Sequence, residues 1–561
     1  MNPSISRSAS ILAAATLLTL INCVKPLYID DAVYYRYAAQ IAQHPFDPYG
    51  FEVYWSESPE PAMHVLVPPL VPYWLAAGIR LFGDRPFLWK LWLFPFCLIF
   101  AYSLYALFHR FCRGLETPLV WMTVLSAVFL PSLNLMLDIP ALALSLLALN
   151  VFFRATDRGS IALAALAGMV AGLAILTKYT ALVAPAVLVL YAGMFRKTHR
   201  GLLAASVALS AFLAWELLLV LRYGESHFLY HLAIHGPWSL HKKIPRMSLP
   251  LVGILGGVAP GITLLGLAAL GSSRRAVWFA AVLVVLGYSL LAAVPGQYAQ
   301  FFLDSSTGKA RLTLNNLIVG AMGVGGCVTL AAVIRRLCRV PRARPFRLNR
   351  LQARRNDWFL VLWLGLEVVG YLVLSPYPAV RRVMGVVVAG TVLAGRLASR
   401  SCRSQDRRPV VRGVVIGSML LGMGYYGVDF LDALAEKKIV DTSAQLIRER
   451  DPHPTIWYVV GLWGFQFYAE RAGMKPVIPG RSHLRKGDWL IVPDEPFPKP
   501  RIQIDRDWLE LVDRAVVDDF LPLATKRGYY GGRTPLEHRD GPRVSATVYR
   551  VAADLAAAVP K

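Results

Sequence analysis

Two adjacent carboxylates, Asp30 and Asp31, open the stretch Tyr28–Gly50 (YIDDAVYYRYAAQIAQHPFDPYG), directly after the first apolar segment. A carboxylate within hydrogen-bond reach of a hydroxyl can take its proton as the oxygen attacks an electrophile. A neighbouring acid raises the pKa of the first or helps hold a divalent cation. The same pair also suits a solvated helix N-cap. Asp138, in LNLMLDIPALALSLL, is a further candidate carboxylate, or an N-cap with Pro140 in the first turn. Lys178, in GLAILTKYTAL, and Arg381 and Arg382, in SPYPAVRRVMG, stand at the ends of apolar runs. Cations there either snorkel to headgroups or bind a phosphate, Arg bidentately and Lys as a point charge. The stretch Arg222–Met247 is basic and His-rich, and offers Lys242, Lys243 and Arg246 as acceptor or phosphate contacts. Its His227, His231 and His235 recur at i, i+4 and i+8, one helix face that could bind metal. His64, just before VLVPPL, is either a ligand contact or an ordinary interfacial His.

What must position these residues is a membrane bundle. The 561 residues are 56% hydrophobic and only 17% charged, with mean hydropathy +0.47. The charges cluster between long apolar runs, as in a polytopic membrane protein. The first run is Ser10–Val24, and others begin near Phe87, Thr117, Ile139, Ile161, Thr180, Gly201, Leu249, Ala276, Leu314, Trp358, Val380 and Val411. The reading is about thirteen transmembrane helices. The first is read as an uncleaved helix, since no small-x-small cleavage site follows it.

Val65–Phe82 is apolar enough to span but holds Pro68, Pro69 and Pro72. Placed at the interface, it leaves the loops near Arg110, Arg154–Arg158, Arg196–Arg200, Arg274–Arg275, Arg335–Arg355 and Arg396–Arg412 on the cytoplasmic side. These loops hold a large share of the chain's 59 Lys and Arg, as the positive-inside rule asks. The net charge of +24 is therefore read as cytoplasmic loop charge facing anionic lipid, with no nucleic-acid partner. The first external loop is then about residues 25–86. Asp30, Asp31, Asp138, Lys178, Arg381 and Arg382 share the external face, where ionisable side chains at membrane ends point to function.

The transmembrane domain is placed at 1–430 and a soluble extracytoplasmic α/β domain at 431–561. Within the latter, Thr455–Val460, Asp488–Val492 and Ala546–Val551 read as strands and Phe465–Ala472 as a helix. The six cysteines form no CxxC, so neither a zinc knuckle nor a redox pair is indicated.

Four features, taken in order, resemble the C-type membrane glycosyltransferases that use polyprenyl-phosphate sugars, in the group of protein O-mannosyltransferases and the lipid A aminoarabinose transferase. They are Asp30-Asp31-Ala32-Val33-Tyr34, Pro68-Pro69-Leu70 with Tyr73-Trp74, Leu176-Thr177-Lys178-Tyr179-Thr180, and Arg381-Arg382 opening a late span. The resemblance covers most of Ile11–Gly427. It implies Asp30 as principal catalytic carboxylate with Asp31 beside it, and Asp138 as the second acidic position. It places Lys178 and one of Arg381/Arg382 near the donor phosphate, while His64, beside the Pro-Pro-Leu turn, stays either a donor contact or an ordinary interfacial His. Two departures stand out. Leu66-Val67 replaces the Glu-Lys that precedes Pro-Pro in the aminoarabinose branch, and Arg382 is followed by Val383-Met384-Gly385 instead of Tyr and prolines.

The expectation is an inverting glycosyltransferase of the inner (plasma) membrane. It would move a hexosyl or pentosyl group from a polyprenyl-phosphate donor to a protein, lipid or polysaccharide acceptor on the outer face. No cofactor is certain and a divalent cation is possible. The alternative is a transporter or flippase of a lipid-linked sugar, for which polar residues at the bilayer midplane and repeated halves are expected. Neither is visible in the chain.

Overall fold

The computed structural model describes residues 3–54, 58–235, 240–296, 302–304, 309–339, 348–401, 408–460, 463–494 and 506–557. The chain begins with α1 (Pro3–Val24). Then come α2 (Asp31–Gln43), an antiparallel ribbon of β1 (Glu52–Tyr54) and β2 (Pro59–Pro61), a 3-10 turn at Ala62–His64, and α3 (Leu70–Phe82). At about 1.5 Å per residue, the 13-residue α3 is too short to cross a bilayer core of about 30 Å. It packs against α2 instead.

The bundle continues with α4 (Pro86–Leu91), α5 (Phe94–Phe111), α6 (Glu116–Val124), α7 (Asp138–Arg158), α8 (Ile161–Thr177), α9 (Val183–Met194) and α10 (Thr198–Tyr223). After α11 (His227–His235) come α12 (Leu240–Val258), α13 (Pro260–Leu270), α14 (Arg274–Ala293), α15 (Leu314–Cys338), α16 (Leu348–Leu374), α17 (Met384–Ser401) and α18 (Arg408–Arg448). Local signals explain several boundaries. Gly159 ends α7 at φ 72°, and the Ser160 and Ser273 side chains cap α8 and α14.

All thirteen apolar segments fall on helices. Among the described residues, eight are long and apolar enough to span alone, and α12 with α13, bent by 77°, makes a ninth. The other four segments are α6, α8, α9 and α17, which are shorter or carry internal charge. α17 is buried along almost its whole length, which its Val, Ala and Gly residues permit by letting neighbouring helices approach. Its buried Arg396 pairs with Asp357 of α16, and Arg400 reaches the same carboxylate at 2.8 Å.

The 41-residue α18 runs unbroken through residue 430, so the compositional boundary falls inside a helix. Its C-terminal half lies on a sheet ordered β4 (Lys475–Pro476), β3 (Ile456–Tyr458), β6 (Trp489–Pro493), β10 (Val544–Val551), β7 (Leu509–Val517). β3 is parallel to β4 and β6, and β10 is antiparallel to β6 and β7. Ile439, Val440 and Ile447 of α18 share a core with Ile456, Ile491 and Val548. α19 (Trp463–Arg471) follows β3 as expected. Short pairs join β5 (His483–Leu484) to β11 (Leu555–Ala556) and β8 (Leu523–Ala524) to β9 (Glu537–His538), with α20 (Lys526–Gly531) between β8 and β9. Buried ion pairs Lys25–Asp429 and Arg543–Asp432 tie α18 to the end of α1 on one side and to β10 on the other.

Candidate active site

Asp30 is the N-cap of α2 and Asp31 its first residue. Ile29 before them has φ 50°, a left-handed conformation that costs a β-branched residue roughly 1–3 kcal/mol. The turn parts the two carboxylates. Asp31 is fully buried, with Oδ1 accepting the Leu135 N–H at 2.8 Å and Oδ2 the Tyr28 N–H at 3.1 Å. Lys90 Nζ stands 3.9 Å from it. Burial pushes the Asp31 carboxyl above the usual range, against the pull of Lys90, Lys25 and those two N–H groups. Asp31 therefore pins the start of α2 to the 125–137 segment and does not line the cavity that Asp30 lines.

That cavity has a volume of about 380 Å³, within the size range of small-ligand sites. Asp30 meets Arg381 there in an ion pair. Arg381 sits on a 3-10 turn, Val380–Arg382, ahead of α17, and its Nη2 donates to the Tyr377 hydroxyl at 2.7 Å. The Arg382 guanidinium lies 4.5 Å from the centre of the Tyr377 ring. Lys178, the C-cap of α8, also lines the cavity and pairs with Asp138, the first residue of α7. Lys178, Arg381 and Arg382 line a second cavity too, of about 90 Å³, which runs among α7, α9 and α16 past Leu142, Leu149, Val187 and Trp363. The three cations thus stand between the chamber of Asp30 and this second cavity among the helices, which Asp138, Ser145 and Glu367 line as well.

The chamber's other wall is Glu60, His64, Tyr230 and His231. The His64 ring stacks on Tyr230 with centroids 4.0 Å apart, and its Nε2 is 3.0 Å from Glu225 Oε1. Burial raises the Glu60 carboxyl above its ordinary range.

Of the other sequence-derived candidates, Lys243 donates to the Val373 carbonyl at 2.7 Å and lines neither cavity. Arg246 is exposed and also lines neither. The side chains of Lys242 and His235 lie outside the described residues. His227 is held between the Tyr179 hydroxyl at 2.6 Å and the Val65 carbonyl at 3.0 Å. Among the described residues, no group of three or more His, Cys, Asp or Glu is arranged to hold a metal ion.

Glu216 escaped the sequence reading. Buried in α10, it accepts from the Tyr179 hydroxyl at 2.8 Å, from Ser226 Oγ at 2.6 Å and from the Phe228 N–H at 3.0 Å. It thereby joins the residue next to Lys178 to the start of α11. The signal was present: Glu216 is the one acidic residue in the apolar run Gly201–Arg222. Glu60, Tyr34, Tyr230 and Tyr377 carried no comparable mark.

Residues 66–221, which include Asp138, Lys178 and Glu216, match the family described as dolichyl-phosphate-mannose-protein mannosyltransferase. The resemblance drawn from the four motifs is borne out by this match. No curated protein sequence matches the chain. Among solved structures, an oligosaccharyltransferase from Archaeoglobus fulgidus tethered with an acceptor peptide aligns at 13% identity and TM-score 0.45, over 84% of this chain and 63% of that one. This chain thus spans less than two thirds of that protein's length. AglB from the same organism, in complex with an inhibitory peptide and a dolichol-phosphate, aligns at 13% identity and TM-score 0.46, over 86% and 69% of the two chains. ArnT from Cupriavidus metallidurans bound to undecaprenyl phosphate aligns at 15% identity and TM-score 0.38, over 86% and 92%.

Proposed function

We propose that the protein is a glycosyltransferase that takes a sugar from a polyprenyl-phosphate donor and passes it to an acceptor at the outer face of the membrane. The observation that carries this reading is the placement of Lys178, Arg381 and Arg382 between the chamber holding Asp30 and a second cavity that runs among α7, α9 and α16. A lipid phosphate needs cations at the boundary between its tail and its sugar, and cations shared by the two cavities suit that need. The match of residues 66–221 to a mannosyltransferase family supports the same chemistry.

In the proposed step, Asp30 takes the proton of the acceptor as its oxygen or nitrogen attacks the anomeric carbon. The bond from that carbon to the phosphate oxygen breaks with inversion, and the lipid monophosphate leaves with both bonding electrons. Arg381, Arg382 and Lys178 stabilise the charge that develops there. Arg381 is paired with Asp30 and Lys178 with Asp138. An incoming phosphate competes for both cations, so donor binding releases the carboxylates. Asp30 is then free as base, and Asp138 orients it or the acceptor. Glu60 and His64 face the sugar or acceptor from the opposite wall.

The test is transfer from radiolabelled polyprenyl-phosphate sugars in membranes carrying the wild-type chain or Asp30→Asn, with and without chelator. Label should enter a new product with the wild type and fall by about 10²–10⁴ in rate with the variant. Label that only changes leaflet, equally in both, would overturn the enzyme reading in favour of transport. The chelator arm reads whether a divalent cation takes part.

A further inference from the structure

The C-terminal domain sends one short helix back into the bundle. Tyr529 and Tyr530, on α20, are fully or almost fully buried there. The Tyr529 hydroxyl lies 2.7 Å from Ser132 Oγ and 2.7 Å from the Val128 carbonyl. The Tyr530 ring meets the Tyr28 ring edge-on at 5.8 Å, and its hydroxyl donates to Asp429 at 3.2 Å. Thr525, the N-cap of α20, is anchored by its N–H to Asp432 at 2.8 Å.

These contacts end on the elements that carry the proposed site. Tyr28 is two residues before Asp30. The segment gripped by Tyr529 continues to Leu135, whose N–H holds Asp31, and to Met136, whose sulfur is 3.7 Å from Arg381 Nη1. Gly532, at φ 78°, closes α20 against Pro378, three residues before Arg381. A Cβ there would lie 2.8 Å from the Pro378 carbonyl oxygen.

We infer that α20 and Gly532 are positioning elements of the lipid-phosphate site. The C-terminal domain sets where the guanidinium of Arg381 and the carboxylate of Asp30 stand. The inference rests on the polyprenyl-phosphate reading above. The bundle alone leaves the Val380–Arg382 turn and the 127–136 segment without the surface that α20 supplies. A Cβ at Gly532 must push Pro378, and with it that turn. The Tyr529 and Tyr530 hydroxyls are the polar fastenings of the same contact.

The experiment is equilibrium binding of undecaprenyl phosphate to the purified full chain, with thermal midpoint measured in parallel. The variants are Gly532→Ala, Tyr530→Phe and, as control in the same domain, Phe520→Ala, whose side chain is 94% exposed. Gly532→Ala should weaken binding roughly ten-fold, and Tyr530→Phe severalfold, the order expected for losing buried polar contacts. Phe520→Ala should bind as the wild type does. Variants with lowered thermal midpoints and unchanged affinity would overturn the inference, since α20 would then serve stability alone. A wild-type chain that does not bind the lipid would overturn the polyprenyl-phosphate reading itself, and the inference with it.

Discussion

Asp30 and Asp31 differ by one position and face different environments. Asp31 satisfies two backbone N–H groups that are buried with it. Asn in its place presents one oxygen and one NH₂ to two donors, which costs about 2 kcal/mol for a buried charge-assisted bond lost. Asp31→Asn should therefore lower the thermal midpoint and leave the donor KM of the surviving protein near wild type, a split that a coupled stability and kinetic measurement reads. Arg381 and Arg382 separate in the same way. Arg381 reaches Asp30 and the Tyr377 hydroxyl at once with two nitrogens of one fork, a geometry that Lys cannot copy. Arg382 lies over the Tyr377 ring, where a compact ammonium can also sit. Arg381→Lys should lower kcat/KM for the donor by roughly 10–100-fold and Arg382→Lys by severalfold at most. Equal losses would place the phosphate on both residues alike.

Among the elements, the sheet of the C-terminal domain is fastened at the end of β6 by Asp494. Its carboxylate accepts from Arg514 Nε at 2.6 Å and from Ser545 and Thr547 Oγ at 2.5 Å each. Burial acts to raise this carboxyl, but the three hydrogen bonds outweigh it and hold the group below its ordinary 3.8. A carboxyl lowered in the folded state stabilises the fold above its unfolded pKa, and that stability is lost as pH falls through the folded value. The thermal midpoint should therefore drop below about pH 4, and Asp494→Asn should flatten that acid limb, as a midpoint series from pH 6 to pH 3 checks. The neighbouring strands show what was legible. TIWYVV and DWLIV announced β3 and β6 because buried strands are continuous apolar runs. β7 (LELVDRAVV) did not, since at the sheet edge its burial is mixed. Lys178, Asp138 and the Arg pair were legible because an ionisable residue at the end of an apolar run has few structural uses. The separate duties of Asp30 and Asp31 were not, because they depend on tertiary partners, the Leu135 N–H for Asp31 and Arg381 for Asp30. Nor was the α20 contact, which joins residues some 400 positions apart.

The molecule as a whole has two ends, and contacts among the described residues assign several loops to one or the other. Asp138 begins α7 and meets Lys178 at the end of α8. The other end of that hairpin is Asp157 and Gly159, at the far side of a 21-residue helix, about 30 Å away. There Arg110 pairs with Asp157 at 2.7 Å and Arg200 donates to the Gly159 carbonyl at 2.8 Å. The site end carries Asp30, Arg381 and, through α20, the C-terminal domain. The opposite end carries the basic residues Arg110, Arg158 and Arg200. By the positive-inside rule the basic end is expected on the cytoplasmic side, and we propose on that ground that the site and the C-terminal domain lie outside. A background lacking Cys327, Cys338 and Cys402 tests this with single cysteines at exposed positions, Phe520→Cys in the C-terminal domain and His199→Cys beside Arg200. A membrane-impermeant maleimide applied to intact spheroplasts should label Phe520→Cys at once and His199→Cys only after permeabilisation. The reverse pattern would turn the molecule over and present the chamber to the cytoplasm. Any donor would then have to be used from the inner leaflet, and the acceptor would have to be a cytoplasmic one.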